Sequence, residues 1–374
     1  MKKIIALFLV LASLFLLVGC GDSFYEPVES TELENTTVMT IKLDGRTYEV
    51  KYELYRALYL THKSTVDGGD ESVWSGDEKD KYIEKINAII EERIADIYGA
   101  FAACYRADLD PYSTAVGKKI NEYIKISVEG GTLGGVKYEG YGSYEKYLEK
   151  LAELNLNYSV QTLLFRYSIA LDMLEEHYIG TISVDDIKNG VISDGDIEYS
   201  ESVVRAFYNS GECIRILRTY VSEYQSTELE DVANRVRSAI AEAAPRGEEA
   251  VLDAMIANLS PIAQAELEQG YLMAEHNLAR GYYQAMVDAA FALDVGEVTE
   301  PIRIHDGNEL RYYIIYKCNK TEDYYTNNYA EIAYIYLKNE LGKKLNDTYS
   351  GILDNISYTD FLKDLDYSGI GARK

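Results

Sequence analysis

Residues 285–318 read AMVDAAFALDVGEVTEPIRIHDGNELRYYIIYKC, and the order of elements within this stretch decides the fold. An Ala-rich run is expected to form a helix that stops at Asp294-Val295-Gly296, because glycine enters the left-handed conformation that other residues resist. A turn through Glu297 to Pro301 leads to a strand. Asp306-Gly307-Asn308 then sits between two β-rich runs as a hairpin signal. The second strand, Arg311 to Lys317, is built of Tyr and Ile.

Upstream of this stretch, Cys213 to Val221 carries apolar residues at 214 and 216, the pattern of a half-buried strand. Thr227 and Glu230 have capping-box spacing ahead of Leu229, Val232, Val236 and Ile240, a helix start. Gly247 and a helix to Leu259 follow, and Ser260-Pro261 opens a short helix with proline at its first position. Strand, long helix, short helices, strand and hairpin together predict an α+β domain over residues 212–319.

The flanking segments read as mostly helical. Val38 to Val50 is a hairpin turning at Asp44-Gly45, and a helix follows over about Lys51 to Thr61. A Gly/Asp/Ser loop then holds the only tryptophan, Trp74. Ile83, Ile86, Ile90, Ile94, Ile97 and Phe101 keep helical spacing over Glu78 to Ala107. Another helix is expected from Pro111 to Ile126. Gly130 to Gly135 lacks the Gly-Lys-Ser/Thr of a phosphate loop and reads as a flexible connection. Two helices over 144–177 follow, the second with a stripe of Leu164, Tyr167, Leu171 and Leu174. Ser183 with Asp186 marks a helix N-cap. After residue 319 a last helix carries Tyr334, Leu337, Leu341, Leu345 and Tyr349, and the chain closes on Ile356 to Phe361.

Lys2 and Lys3 precede an apolar run from Ile4 to Val18, too short for a comfortable membrane span. Its Leu17-Val18-Gly19-Cys20 ending resembles a bacterial lipobox. That resemblance implies a signal peptide over 1–19, lipidation of Cys20, a tether over 20–37, and anchoring to the outer face of the cytoplasmic membrane. The formal net charge of −25 argues against nucleic acid as a partner, since phosphates demand basic patches. No metal site, nucleophile triad or nucleotide loop is visible, so no cofactor is expected. Thirty-five tyrosines are read mainly as replacements for phenylalanine in cores and on strands.

The helix, Gly-Glu-Val-Thr-Glu-Pro turn and final hairpin of 285–318 resemble the C-terminal half of parvulin-type peptidyl-prolyl isomerase domains. Residues 38–211 resemble the helical N-terminal chaperone domain of the SurA and PrsA foldases. The tail, 320–374, looks like the helix and short strand that return to complete that domain. The resemblance implies a membrane-anchored foldase acting on unfolded or proline-containing secreted polypeptides. Parvulins place two core histidines where this chain has Arg218 and Tyr313, and an acid or thiol near Ile262. Their proline pocket falls on Tyr282 and Met286, with Phe291 beside it. None of His62, His177, His276 and His305 occupies either core position. The reading therefore favours weak or absent isomerase activity in a cleft that still binds peptide; the alternative is a polar core rebuilt from Arg218 and Tyr313. A ligand-binding surface lipoprotein is the rival class, and the chain lacks the repeated βα pattern of solute-binding lobes.

Cys104 is expected to be a buried thiol. The register that sets Arg218 against Tyr313 also sets Cys213 against Cys318, close enough to bridge if that pair is not hydrogen-bonded. A disulfide and two free thiols both remain open.

Overall fold

The computed structural model describes residues 25–133, 135–191, 195–222, 228–257, 270–276, 282–306 and 309–371, with backbone alone at 282, 283, 305, 306 and 309. The expected leader, Cys20, Thr227, Ser260-Pro261 and Ile262 lie outside these residues. The chain is α+β and divides into two compact units: one takes residues up to His177 and again from Lys344, and the other, Tyr178–Lys343, is inserted within it.

In the first unit, β1 (Thr37–Leu43) and β2 (Arg46–Lys51) form the expected hairpin. Asp44 and Gly45 both have positive φ, 51° and 72°, the geometry of the two-residue turn that matches strand twist. The closing strand, Ile356–Tyr358, lies on the other side of β1 with Met39 opposite Tyr358. The chain's end thus completes the sheet its beginning started. Val38, Met39, Ile41 and Val50 are buried in that sheet.

Helix α1 (Tyr52–Asp67) runs six residues past its expected end at Thr61, and Gly68 caps it in the left-handed conformation. Trp74 is buried, donating its indole N–H to Asp67 at 2.7 Å. Helix α2 (Lys79–Arg106) buries Ile86, Ile90, Ile94, Ile97 and Phe101, as their spacing predicts. After α3 (Thr114–Glu129) the described residues 130–133 and 135–138 are more ordered than the expected flexible connection. They form a small hairpin, Gly131–Leu133 with Val136–Tyr138. A Cβ on Gly140 would lie 2.1 Å from the Gly130 nitrogen, so glycine is what lets the two arms cross.

Helices α4 (Tyr144–Glu153) and α5 (Tyr158–Ile179) follow. The buried stripe of α5 runs through Gln161, Phe165, Ile169 and Leu174, with Leu164, Tyr167 and Leu171 only half-buried. The helix is apolar around most of its circumference, so periodicity alone picks no single face. Tyr55, Tyr59, Tyr147 and Tyr158 are among the largest fully buried side chains. Tyr55 donates to Asn87 at 2.5 Å and meets Tyr367 at 2.9 Å, so a phenol does inside this core what phenylalanine cannot.

The inserted unit opens with α6 (Val184–Lys188), held by a complete capping box between Ser183 and Asp186, and α7 (Glu201–Asn209). Its centre is a four-stranded antiparallel sheet. Taken in chain order the strands are β3 (Cys213–Ser222), β4 (Tyr271–Ala274), β5 (Ile302–Asp306) and β6 (Glu309–Cys318), arranged β4-β3-β6-β5. Helices α8 (Leu229–Ala243) and α9 (Glu248–Ile256) cover one face through Leu229, Ala233, Val236, Ile240, Val251 and Met255. The first turn of α8 is preceded by Glu228 with no side-chain cap. Helix α10 (Tyr282–Phe291) packs on the other face through Met286 and Ala290.

The Gly-Glu-Val-Thr turn is pinned to β6. Helix α10 stops before the expected Asp294, and Gly296, at φ 92°, turns its N–H to the Lys317 carbonyl at 2.9 Å. Thr299 and Ile315 exchange N–H to carbonyl and N–H to hydroxyl bonds of 2.9 and 3.0 Å. The Lys317 ammonium caps the end of α10 at the Leu293 carbonyl, 2.5 Å away, where the helix dipole favours a cation.

The sequence predicts unit boundaries at 211/212 and 319/320, whereas 178–211 and 320–343 stay with the sheet. Named bonds hold them there: Tyr208 donates to the Thr321 carbonyl at 3.0 Å, and Lys343 pairs with Glu212 at 2.6 Å. Helix α11 (Glu322–Asn327) precedes the long α12 (Tyr329–Leu353), whose Leu337, Leu341 and Leu345 are buried.

The register around the cysteines differs from the expected one. Cys318 stands opposite Arg215, and Cys213 stands opposite Ala274 on β4. Arg218 opposes Ile315, and Tyr313 opposes Tyr220, so the pairing is two residues out of step with the expected one. Two residues along a strand span roughly 6.6 Å, which puts the two Cα atoms beyond the ~7 Å a disulfide can bridge. Cys104, Cys213 and Cys318 are free and buried.

Arg215, itself buried, forks onto Glu248 of α9 at 2.7 and 2.5 Å and stacks over Tyr324. Glu248→Ala is expected to cost about 2–3 kcal/mol, less than the ~3–5 of a fully buried pair because Glu248 is partly exposed. Denaturant unfolding of the two proteins measures the difference.

Thiol counting on unreduced, unfolded protein is expected to find Cys104, Cys213 and Cys318 all alkylatable; a missing pair would restore the disulfide. Burial pushes Cys213 up to about 11, and Cys104 and Cys318 to about 12, from an ordinary 9.0. Burial likewise pushes Tyr48, Tyr123, Tyr144 and Tyr324 to about 12 from 10.0. The folded chain keeps protons that the unfolded chain releases. Stability is therefore intact below pH 9 and falls as pH rises from 9 towards 12. Unfolding midpoints measured across that range should drop steadily, and a flat profile would contradict these burials.

Candidate functional site

Alternate residues of a strand share a face, and on the α10 side of the inserted sheet this alternation assembles the candidate site. Strand β3 contributes Ile214, Ile216, Arg218 and Tyr220; β6 contributes Arg311, Tyr313 and Ile315. Tyr271 and Met273 of β4 and Ile302 and Ile304 of β5 extend the same face. Ile214, Ile216, Met286, Ala290, Ile304, Tyr313 and Ile315 form its buried apolar floor, with Tyr220, Tyr271, Phe291 and Ile302 packed half-buried around it.

Arginine and tyrosine interleave at one end of this floor. The guanidinium carbon of Arg218 lies 5.1 Å from the Tyr271 ring centre and 5.7 Å from that of Tyr313. Arg311 lies 4.9 Å from the Tyr220 ring and reaches the Tyr313 hydroxyl at 3.4 Å. The Tyr220 and Tyr313 rings are 5.6 Å apart, tilted by 46°. Each cation over a ring contributes on the order of 0.5–2 kcal/mol, more as water is excluded. Among the described residues, Arg218 meets aromatic rings and no carboxylate, so its planar fork of donors is available to a carbonyl or carboxylate from outside.

The expected site residues are therefore distributed unevenly. Arg218, Tyr313, Met286 and Phe291 come together on one face. Met286 is completely buried and serves as floor rather than as contact surface. The side chain of Tyr282 lies outside the description, as does that of His305 on β5. His276 follows β4, its backbone N–H donating to Asn339 at 3.0 Å, while His62 and His177 belong to the other unit. Tyr220, Tyr271 and Arg311 were missed by sequence reasoning, although the two-residue period of the strands marks Tyr220 and Arg311.

Among the described residues no group of three His, Cys, Asp or Glu side chains is placed to hold a metal, and no helix is long and apolar enough to cross a membrane.

No family model and no curated protein matches the chain. Among solved structures it is similar to the foldase protein PrsA from Streptococcus pneumoniae, at 14% identity and a TM-score of 0.27, covering 84% of this chain and 92% of that one. PrsA from Bacillus subtilis is 15% identical with a TM-score of 0.25, covering 90% and 98%. The foldase protein PrsA from Lactococcus lactis is 13% identical with a TM-score of 0.25, covering 90% and 99%.

Because Met286 fills the floor, Met286→Ala is expected to destabilise the inserted unit by about 2–4 kcal/mol, the cost of a core cavity. Half-buried Phe291→Ala should cost less. Denaturant melts of both variants check this order, and equal costs would mean that Phe291 is as much core as Met286.

Proposed function

We propose that this chain is an extracytoplasmic foldase or chaperone, anchored through lipid on Cys20, that holds secreted polypeptides while they are unfolded. The observation that carries the reading is the face just described: an apolar floor beneath α10 with half-buried Arg218 beside buried Tyr313 at one end of it. Met286, Ile304, Tyr313 and Ile315 of that face stand in the stretch whose helix, Gly-Glu-Val-Thr-Glu-Pro turn and hairpin resemble the parvulin type, and Arg218 stands on the strand paired with it. The helical segments on either side, which resemble the SurA and PrsA chaperone domain, support the same reading, as does the return of Ile356–Tyr358 to β1.

Such a face needs neither cofactor nor covalent step. An apolar floor takes a proline ring, and a fixed guanidinium donates to the carbonyl of the X–Pro amide. Isomerisation follows only if those donors hold the twisted amide better than the planar one, against a barrier of roughly 18–20 kcal/mol for an ordinary peptide bond. The replacement of both expected histidines by Arg218 and Tyr313 favours holding over turnover.

The test is NMR exchange of a short X–Pro peptide with the soluble chain beginning at Gly21, beside its Arg218→Ala and Tyr313→Phe variants. The expected result is peptide binding, weakened several-fold by Arg218→Ala, with exchange close to the blank. Exchange well above the blank and lost in either variant would make the protein an isomerase with a rebuilt core. Absence of peptide binding would overturn the chaperone reading at this face.

A further inference from the structure

The first unit contains an open cleft of about 550 Å³ between β2, α2 and α5, outside the face described above. Its wall includes Arg46, Tyr48, Tyr98, Tyr105, Tyr112 and Arg166. We propose that this cleft is a binding site for a carboxylate attached to an apolar body, received by the Arg46 guanidinium and the Tyr48 hydroxyl, with Arg166 as the buried cation behind them.

Three independent observations carry this. Tyr48 is only 8% exposed, yet its hydroxyl has no hydrogen-bond partner among the described residues. A buried hydroxyl left unpaired is costly, and in a pocket wall it marks where a ligand oxygen is expected. Burial pushes this phenol up to about 12, so it is a protonated donor at neutral pH.

The second observation is how the cations are held. The guanidinium carbon of Arg46 lies 3.5 Å from the ring centre of Tyr105, and that of Arg166 lies 4.2 Å from the ring centre of Tyr112. The Tyr105 face orients the Arg46 fork without occupying all its N–H groups. Arg166 is 3% exposed and donates to the Pro111 carbonyl at 2.7 Å.

The third is that the neighbouring acids are engaged elsewhere. Asp44 is held bidentately by Arg106, at 2.6 and 3.2 Å. Glu49 is paired with Lys51 at 2.7 Å. Glu53 accepts from Ser30, Ser159 and Asn157. Asp110, the acid beside Tyr105 and Arg166, accepts from the backbone N–H of Tyr112 at 2.9 Å. Arg46 is exposed and, among the described residues, lies over the Tyr105 ring with no carboxylate paired to it.

A net charge of −25 repels anions at long range, but at physiological ionic strength that repulsion is screened beyond about 8 Å, leaving the local cations to decide. The carboxylate has two sources, the end or acidic side chain of a polypeptide and a free organic acid.

Calorimetric titration of the full chain separates them. The probes are acetyl-Ala-Tyr-Ala as free acid, the same peptide as its C-terminal amide, benzoate, and inorganic phosphate. The free acid is expected to bind at least about tenfold tighter than the amide, the factor one charge-assisted hydrogen bond supplies. Arg46→Gln, at an exposed position, should erase that preference, and Tyr48→Phe, which keeps the buried ring, should weaken the acid several-fold. Peptide acid binding tighter than benzoate assigns the site to polypeptides, and benzoate matching it assigns a small organic acid. Equal affinity for acid and amide, no binding of either acid, indifference to both substitutions, or phosphate binding tighter than both acids would overturn the proposal. Peptide exchange at Arg218 is read separately, so failure here leaves the other face untouched.

Discussion

The inserted unit depends on one pairing, that of β3 with β6. It extends from Arg215 opposite Cys318 to Ser222 opposite Arg311, and both of its faces are covered. Because the side-chain period of a strand is two, a slip of one residue would carry Leu217, Val221, Ile314 and Tyr316 from under α8 and α9 to the α10 side. Two distinct apolar clusters on opposite faces therefore specify the register twice. The Gly296–Thr299 turn reinforces it from the next position in the sheet, through its bonds to Ile315 and Lys317.

That register also decides the chemistry of the polar residues. Arg215 and Arg218 are three apart and so fall on opposite faces. Arg215 meets Glu248 in a bidentate pair that desolvation alone would make costly. Arg218, without a carboxylate among the described residues, lies against Tyr271 and Tyr313 instead. Two residues of one type on one strand thus acquire a structural role and a candidate binding role from nothing more than alternation.

Tyrosine is the recurring solution to burying polarity in this protein. Tyr55 and Tyr367 share Asn87 inside a core, and rings of Tyr105, Tyr112, Tyr271 and Tyr324 support arginines. A ring face stabilises a guanidinium while leaving its edge donors free, which a carboxylate partner does not. At Tyr48 the buried hydroxyl has no hydrogen-bond partner among the described residues, the exception to this pattern.

The sequence by itself determined the elements whose signals are local: the Asp44-Gly45 hairpin, the isoleucine stripe of α2, the Ser183–Asp186 capping box, and the order of helix, turn and hairpin after Ala285. Each rests on interactions within a few residues, which periodicity and turn chemistry record. It also placed Arg218 and Tyr313 on strands that prove to be neighbours. Tertiary structure alone decided the two-residue register that separates Cys213 from Cys318, the buried face of α5, and the glycine crossing of Gly130 with Gly140. It alone brought Tyr220, Tyr271 and Arg311 to Arg218. Those outcomes depend on which distant side chains fill the same space, and packing of that kind leaves no periodic trace along the chain.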